Sequence, residues 1–300
     1  MRATEWLAAL TPSHPHAYLC SGRDETADKS VRVLRWHRKD AQLVLGLEGG
    51  YVGHTTACAR SISDPAVHRQ GPPHFAWPRV PHPADGVEAS IAALRAAIAE
   101  AGASRVLGVY IEPIQERTGR VIPEAYWAEL ATLRADTGVP VVLVETASAY
   151  YRSGLGAFAS SGLDFVPDVM TWWTGGQLGV VHVTSPYFVP TPLTLVSTWD
   201  GDELSLIQMH HQLRAARAVD VAAASKALDA ALASVEAPVH GRGLYRVVHA
   251  GERADAMVKA LGDRGLRARA YPGGRVAIAP FLDRAAEHAE RLGEALRASR

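Results

Sequence analysis

The residues best placed for chemistry lie at turns between apolar runs. Ser21-Gly22-Arg23 follows the short apolar run 17–20 and precedes a helical pattern that begins near Asp24. A helix start offers free backbone N–H groups, so this turn suits an anion, with Arg23 in favour and Asp24 and Glu25 against. Ser21 or Asp24 would serve equally well as a plain helix cap. Gly50-Tyr51-Val52-Gly53 sets an aromatic ring between two turn glycines. Glu145 follows directly on the apolar run 139–144, where a dry wall would raise its pKa and suit it to acid–base work. Trp172 and Trp173 precede Thr174-Gly175-Gly176, and Tyr150 and Tyr151 lie upstream. Such aromatics either fill a core or form a box for a flat or cationic ligand. The histidines at 14, 16, 74, 82, 210 and 211 lack the helical spacing or cysteine pairing of a metal site, so no metal is expected.

Alternating periodicities position these turns. Residues 17–20, 42–47, 105–111, 139–144, 178–183 and 193–198 read as strands, and 24–37, 85–103 and 123–137 as helices. Continuous apolar strands between helices predict a mostly parallel sheet covered on both faces, an α/β fold. Residues 61–83, rich in Pro and His, read as an irregular loop. Residues 202–235 read as one long helical stretch, and 236–243, with Pro238 and two glycines, as a linker. The remainder predicts a strand at 244–248, a helix at 253–264, two strands around Tyr271-Pro272-Gly273-Gly274 and a last helix at 283–298. A large domain with its connecting helix is therefore expected over 1–235, and a small α+β domain over 236–300.

Several motifs occur in a telling order: Cys20-Ser21-Gly22, Gly50-Tyr51-Val52-Gly53-His54-Thr55, Ile111-Glu112-Pro113-Ile114-Gln115, Val144-Glu145, Arg152-Ser153-Gly154, Pro167-Asp168-Val169-Met170-Thr171 and Ser197-Thr198. This order resembles the class III aminotransferases across nearly the whole chain. The resemblance implies the aspartate-aminotransferase-like PLP fold type I. In that family one lysine, between the Pro-Asp motif and a Gly-Gly pair, holds pyridoxal phosphate (PLP) as a Schiff base. Here Thr174 stands in that place, and no lysine occurs between Lys39 and Lys226. A hydroxyl cannot form an imine, so ordinary transamination is closed to it.

The resemblance assigns further roles. Ser21, Gly22 and Arg23 match the turn that takes the cofactor phosphate, and Tyr51 the aromatic that stacks on its ring. Glu145 matches the glutamate of an Asp-Glu pair whose aspartate, the partner of the pyridine nitrogen, is Val144 here. Thr198 matches the threonine that reaches the phosphate in the partner subunit. Trp172 and Trp173 replace smaller residues and would crowd the ring. The family carries a longer stretch before its Ser-Gly motif; twenty residues precede Ser21, so one wall of the usual pocket is expected to be missing.

These losses imply a degenerate homologue without an internal aldimine. It would be non-catalytic, or would complete a partner's site as a homodimer or in a heteromer with an active paralogue. Weak non-covalent PLP, phosphate or another small molecule stays open. The alternative is a PLP-independent enzyme with a rebuilt pocket: Glu145 as acid or base, Tyr51, Trp172 and Trp173 as walls, Cys20 or Cys58 in reach. A third reading, a genuine aminotransferase, would draw on Lys226 or Lys259. The composition is that of a soluble globular chain, with 300 residues, 48 % of them apolar and 21 % charged, and net charge zero. No basic stripe calls for nucleic acid, no apolar run is long enough to span a membrane, and no secretory signal is visible. Two cysteines fit a reduced, cytoplasmic setting, and the Arg-over-Lys and Ala bias fits a bacterial source.

Overall fold

The computed structural model describes residues 3–68, 75–281 and 284–297. His74 and both predicted ends of the last helix lie outside them. A seven-stranded sheet forms the centre, built from β1 (His16–Cys20), β2 (Leu43–Leu47), β3 (Arg79–Val80), β4 (Val106–Ile111), β5 (Val141–Val144), β6 (Val169–Trp173) and β7 (Gly179–Val183), in the order β1-β7-β6-β5-β4-β2-β3. Only β7 runs against the rest: it is antiparallel to both β1 and β6, while β2 to β6 pair in parallel.

Strand alternation sorts the core into two layers. Val142 and Val144 face one side with Tyr110, Val181 and Val183; Val141 and Leu143 face the other with Val109 and Ile111. The first layer is closed by α2 (Arg23–His37) and α3 (Ala57–Ile62), the second by α4 (Val87–Ala101) and α5 (Glu124–Thr137). On α4, Ile91, Leu94 and Ile98 are buried at helical spacing; on α5, Tyr126, Leu130 and Leu133 are. Gly102 and Gly138 end these helices at φ 82° and 65°, where a side chain is disfavoured.

Three expectations are corrected. Residues 202–235 form two helices, α6 (Glu203–Arg217) and α7 (Val221–Leu232), because the Asp220 carboxylate accepts from the Ala223 N–H and starts a second helix. Residues 236–243 contain a strand, β8 (Val239–Arg242), which opens a second sheet with β9 (Tyr245–His249), β10 (Arg269–Tyr271) and β11 (Arg275–Ile278) in the order β10-β11-β9-β8. Residues 193–198 form no strand: they form a turn that buries Leu195 alone, with Leu193 at φ 64° and the Ser197 hydroxyl donating to Asp200. The sequence reading also missed α1 (Ala3–Leu10), α3, β3 and β6. Packing places α7 with the second sheet: Leu228, Ala231 and Leu232 share a core with Val248, Val276 and with Leu292 of α9 (Ala285–Arg297), beside α8 (Ala254–Gly262).

Leu193 is 82 % exposed, so its left-handed backbone is not offset by packing. Leu193→Asn, a residue that tolerates this region, is expected to stabilise the chain by up to about 1 kcal/mol. A urea midpoint that does not rise would place the cost elsewhere.

Candidate functional site

The carboxyl ends of parallel strands are where such sheets gather function. Here β1 leads into Ser21-Gly22, β2 toward Tyr51, β4 into Glu112, β5 into Glu145 and β6 into Thr174.

At the start of α2, Gly22 is the cap residue and no side chain caps the helix. The Glu25 carboxylate folds back on Gly22, one oxygen lying 2.8 Å from where a Cβ would stand. The helix thus meets its own negative charge at the end that favours anions. Asp24 turns away and accepts from the His54 N–H at 2.7 Å, the Thr55 N–H at 2.6 Å and the Thr55 hydroxyl at 2.6 Å. Burial raises its pKa, but these bonds and the adjacent Arg23 outweigh it and hold the carboxyl below its usual range.

Arg23 does not face outward from the turn. Its Nη1 donates to both oxygens of Glu116, at 3.2 and 3.0 Å, and its Nη2 to the Tyr51 hydroxyl at 3.0 Å. Its guanidinium carbon lies 4.7 Å from the Tyr51 ring centre and 5.5 Å from that of Trp173. Arg117 lies between two rings, 3.7 Å from Tyr51 and 4.1 Å from Tyr271. Trp173, Arg23, Tyr51, Arg117 and Tyr271 therefore alternate as ring and cation. Glu116 also accepts from the Tyr271 hydroxyl at 3.2 Å and lies 3.8 Å from Arg117 Nε, while its carbonyl accepts from the Tyr245 hydroxyl at 2.7 Å. Arg117 Nε itself is buried without a hydrogen-bond partner among the described residues.

Below this layer, Glu112 accepts from the Tyr51 N–H at 2.6 Å and the Glu116 N–H at 2.9 Å. Burial dominates and pushes its pKa up to about 8. Thr174 is buried; its hydroxyl and its N–H both donate to the Leu178 carbonyl, at 2.9 and 3.0 Å, and its own carbonyl accepts from Tyr150 at 3.1 Å. Val144 sits in the core layer of α2.

The two tryptophans part company. Trp172 is fully buried beside Phe158 at 5.0 Å and Tyr150 at 5.6 Å, within the core formed with α1 and α6. Trp173 faces Arg23 and donates from Nε1 to the Gly176 carbonyl at 2.7 Å. An aromatic box of Trp172, Trp173 and Tyr150 is not formed, because successive strand residues point to opposite faces.

Glu145 is fully buried, and its carboxylate accepts from the N–H groups of Ala159 and Ser160, both at 2.8 Å, and from the Ser148 hydroxyl. It pins the 159–160 turn. That geometry does not support the acid–base role expected of it, because both oxygens are engaged. Cys20 is pushed up to about 12 and Cys58 is raised as well, each chiefly by burial, so neither is a ready nucleophile. Thr198 is exposed on the loop that Asp200 ties to Lys29 at 2.5 Å. Lys226 lies on α7, and Lys259 pairs with Asp263 on the surface of α8. Among the described residues no group of three or more His, Cys, Asp and Glu could hold a metal ion. Nor is any helix of theirs long and apolar enough to cross a membrane.

This architecture is shared. The chain is similar to a transaminase from the marine bacterium Virgibacillus, with a TM-score of 0.84 and 20 % identity over 99 % of this chain and 78 % of that one. It is similar to an (S)-enantioselective omega-transaminase from Thermomicrobium roseum, at TM-score 0.86 and 20 % identity over 99 % and 77 %. It is also similar to the lysine aminotransferase of M. tuberculosis, at TM-score 0.83 and 20 % identity over 99 % and 78 %. The chain has the PLP fold type I. At such identities the likeness speaks for the fold alone. No protein-family model matches the sequence, and none of the curated proteins does.

The residues do not fit the cofactor this fold implies. A flat ring reaching Tyr51 would have to displace a guanidinium, the helix N-terminus already faces Glu25, and Val144 and Thr174 supply neither the acid nor the amine. Of the residues singled out in the sequence, the structure brings Arg23, Tyr51 and Trp173 together; Glu116, Arg117, Tyr245 and Tyr271, which join them, were not anticipated. The one available signal was Glu116-Arg117 in a loop otherwise flanked by apolar strands.

A carboxyl whose folded pKa is raised contributes stability in full below its ordinary value of 4.5 and loses it as pH rises toward about 8. Glu112→Gln is expected to flatten the fall in urea midpoint over that window, although the midpoint itself drops because an amide N–H2 then opposes a backbone donor. An unchanged slope would assign the pH dependence to another group.

Proposed function

We propose that this chain is a degenerate class III aminotransferase homologue that forms no Schiff base with PLP and acts as a non-catalytic subunit. The observation that carries the reading is Thr174, whose hydroxyl is spent on the Leu178 carbonyl in the place that the family gives to its lysine. The guanidiniums against Tyr51 add to it, since they take up the surroundings that a pyridine ring needs. The reading of a rebuilt, PLP-independent enzyme loses ground because Glu145 is fully engaged and burial raises the pKa of both thiols. The reading of a genuine aminotransferase finds no support either: Lys226 is exposed on α7, and Lys259 pairs with Asp263 on the surface of α8.

In this reading the protein is a bacterial, cytoplasmic two-fold dimer or a heteromer with an active paralogue. Phe188, Leu193, Val196, Trp199, Leu204 and Ile207 crowd apolar, solvent-facing side chains into one stretch of chain around Thr198. Exposed apolar surface of that kind favours a partner. Thr198, on the same loop, is then available to a neighbour's site rather than to its own.

Two measurements check these points. As purified, the chain is expected to show no visible imine band and no PLP adduct after borohydride reduction; a reducible band on this chain would overturn the reading. Light scattering is expected to give a dimer at micromolar concentration. A stable monomer would remove the role assigned to Thr198.

A further inference from the structure

A second cleft lies where α5, the 113–114 segment that follows β4, the 153–164 loop and β8 of the second sheet meet. Its volume is about 430 Å³, within the range of small-molecule sites. The walls are apolar: Ile122, Trp127, Leu155 and Leu163. Three charges line it. Glu124 opens α5, Asp164 ends the loop, and Arg242 comes from β8.

These charges do not neutralise one another. Among the described residues the carboxylates of Glu124 and Asp164 have neither a hydrogen-bond nor an ion-pair partner. Arg242, exposed like Glu124 and Asp164, donates from Nε to the Ser153 carbonyl at 3.2 Å, and its two terminal nitrogens have no partner among the described residues. A further cavity, lined among others by Gly154, Gly156 and Gly241, shares Ser153 and Arg242 with this cleft.

We propose that this cleft binds a small zwitterion with an apolar body, the class to which a free apolar α-amino acid belongs. The ligand's carboxylate pairs with the open face of Arg242, its ammonium with Glu124 or Asp164, and its apolar part lies against Trp127 and Leu163. A plain carboxylic acid would meet Arg242 but face two carboxylates. A plain amine would meet those carboxylates but leave Arg242 unpaired. Only a ligand with both charges complements the cleft, and ligand charges of this kind set orientation and specificity. The site shares none of Arg23, Tyr51 or Thr174, so it stands apart from the absence of an aldimine.

Isothermal titration of the full chain, without PLP, tests this with L-leucine and L-phenylalanine as probes. The comparison ligands are 3-methylbutylamine, which lacks the carboxylate of leucine, and 4-methylpentanoate, which lacks its amine. Saturable binding of an amino acid at one site per chain is expected, with each comparison ligand weaker by about tenfold or more. Ala128→Trp fills the cleft from an exposed position on α5 and is expected to abolish binding while the urea midpoint stays in place. Arg242→Met is expected to weaken the amino acid but not the amine. Three results would overturn the proposal: no heat from either amino acid up to about 10 mM, equal binding of a comparison ligand, or full binding by a folded Ala128→Trp chain. Because no cofactor is present, each outcome is independent of the imine measurement.

Discussion

The carboxylate of Glu116 is where the two sheets are joined. It takes two bonds from Arg23 at the start of α2, one from Tyr271 on β10, and the charge of Arg117 between Tyr51 and Tyr271. Its backbone carbonyl adds the hydroxyl of Tyr245 on β9. Buried charges are tolerable only with partners and hydrogen bonds, and loss of one partner typically costs about 3–5 kcal/mol. The arrangement of α2, the 112–118 segment and the second sheet thus depends on one side chain. Around it lie further ties between the sheets: His249 with the Thr118 carbonyl at 2.9 Å, and Gly119 so close to the His240 carbonyl that a Cβ would stand 2.7 Å from it.

Much of the fold was legible because its signals are local. The continuous, largely apolar runs of β4 and β5, the alanine-rich α4 closed by Gly102 and the spacing on α5 each declare themselves within a dozen residues. β6 did not, because Thr171 and two tryptophans break the apolar run and the segment reads first as a motif. The turn at 193–198 was mistaken for a strand because Leu, Leu, Val and Thr favour extended backbone. What overrides them is the tertiary tie of Asp200 to Lys29, from an element far away in the chain. The break between α6 and α7 rested on one capping aspartate, Asp220, inside an otherwise unbroken helical pattern.

The candidate site divides along the same line. Thr174 and Val144 were singled out from motif order and residue type alone, which are local features of the sequence. The alternation of rings and cations could not be read that way, because Arg23, Tyr51, Arg117, Trp173 and Tyr271 come from five separate segments. Nor could the engagement of Glu145, which depends on a turn fourteen residues downstream folding back to present two N–H groups. In each case the identity of the residue was legible and its partners were not.

The placement of Arg23 has a historical consequence. A lysine lost alone leaves a cavity that a later lysine could re-enter. Once a guanidinium has settled on Tyr51 and tied itself to Glu116, that route closes, because the returning side chain meets an occupied, charge-balanced interior. Substitutions in contact are the ones whose effects fail to add. Under the proposed function, a lysine at position 174 would not by itself bring back transamination, since Val144 and the contact of Arg23 with Tyr51 would still stand against the cofactor ring.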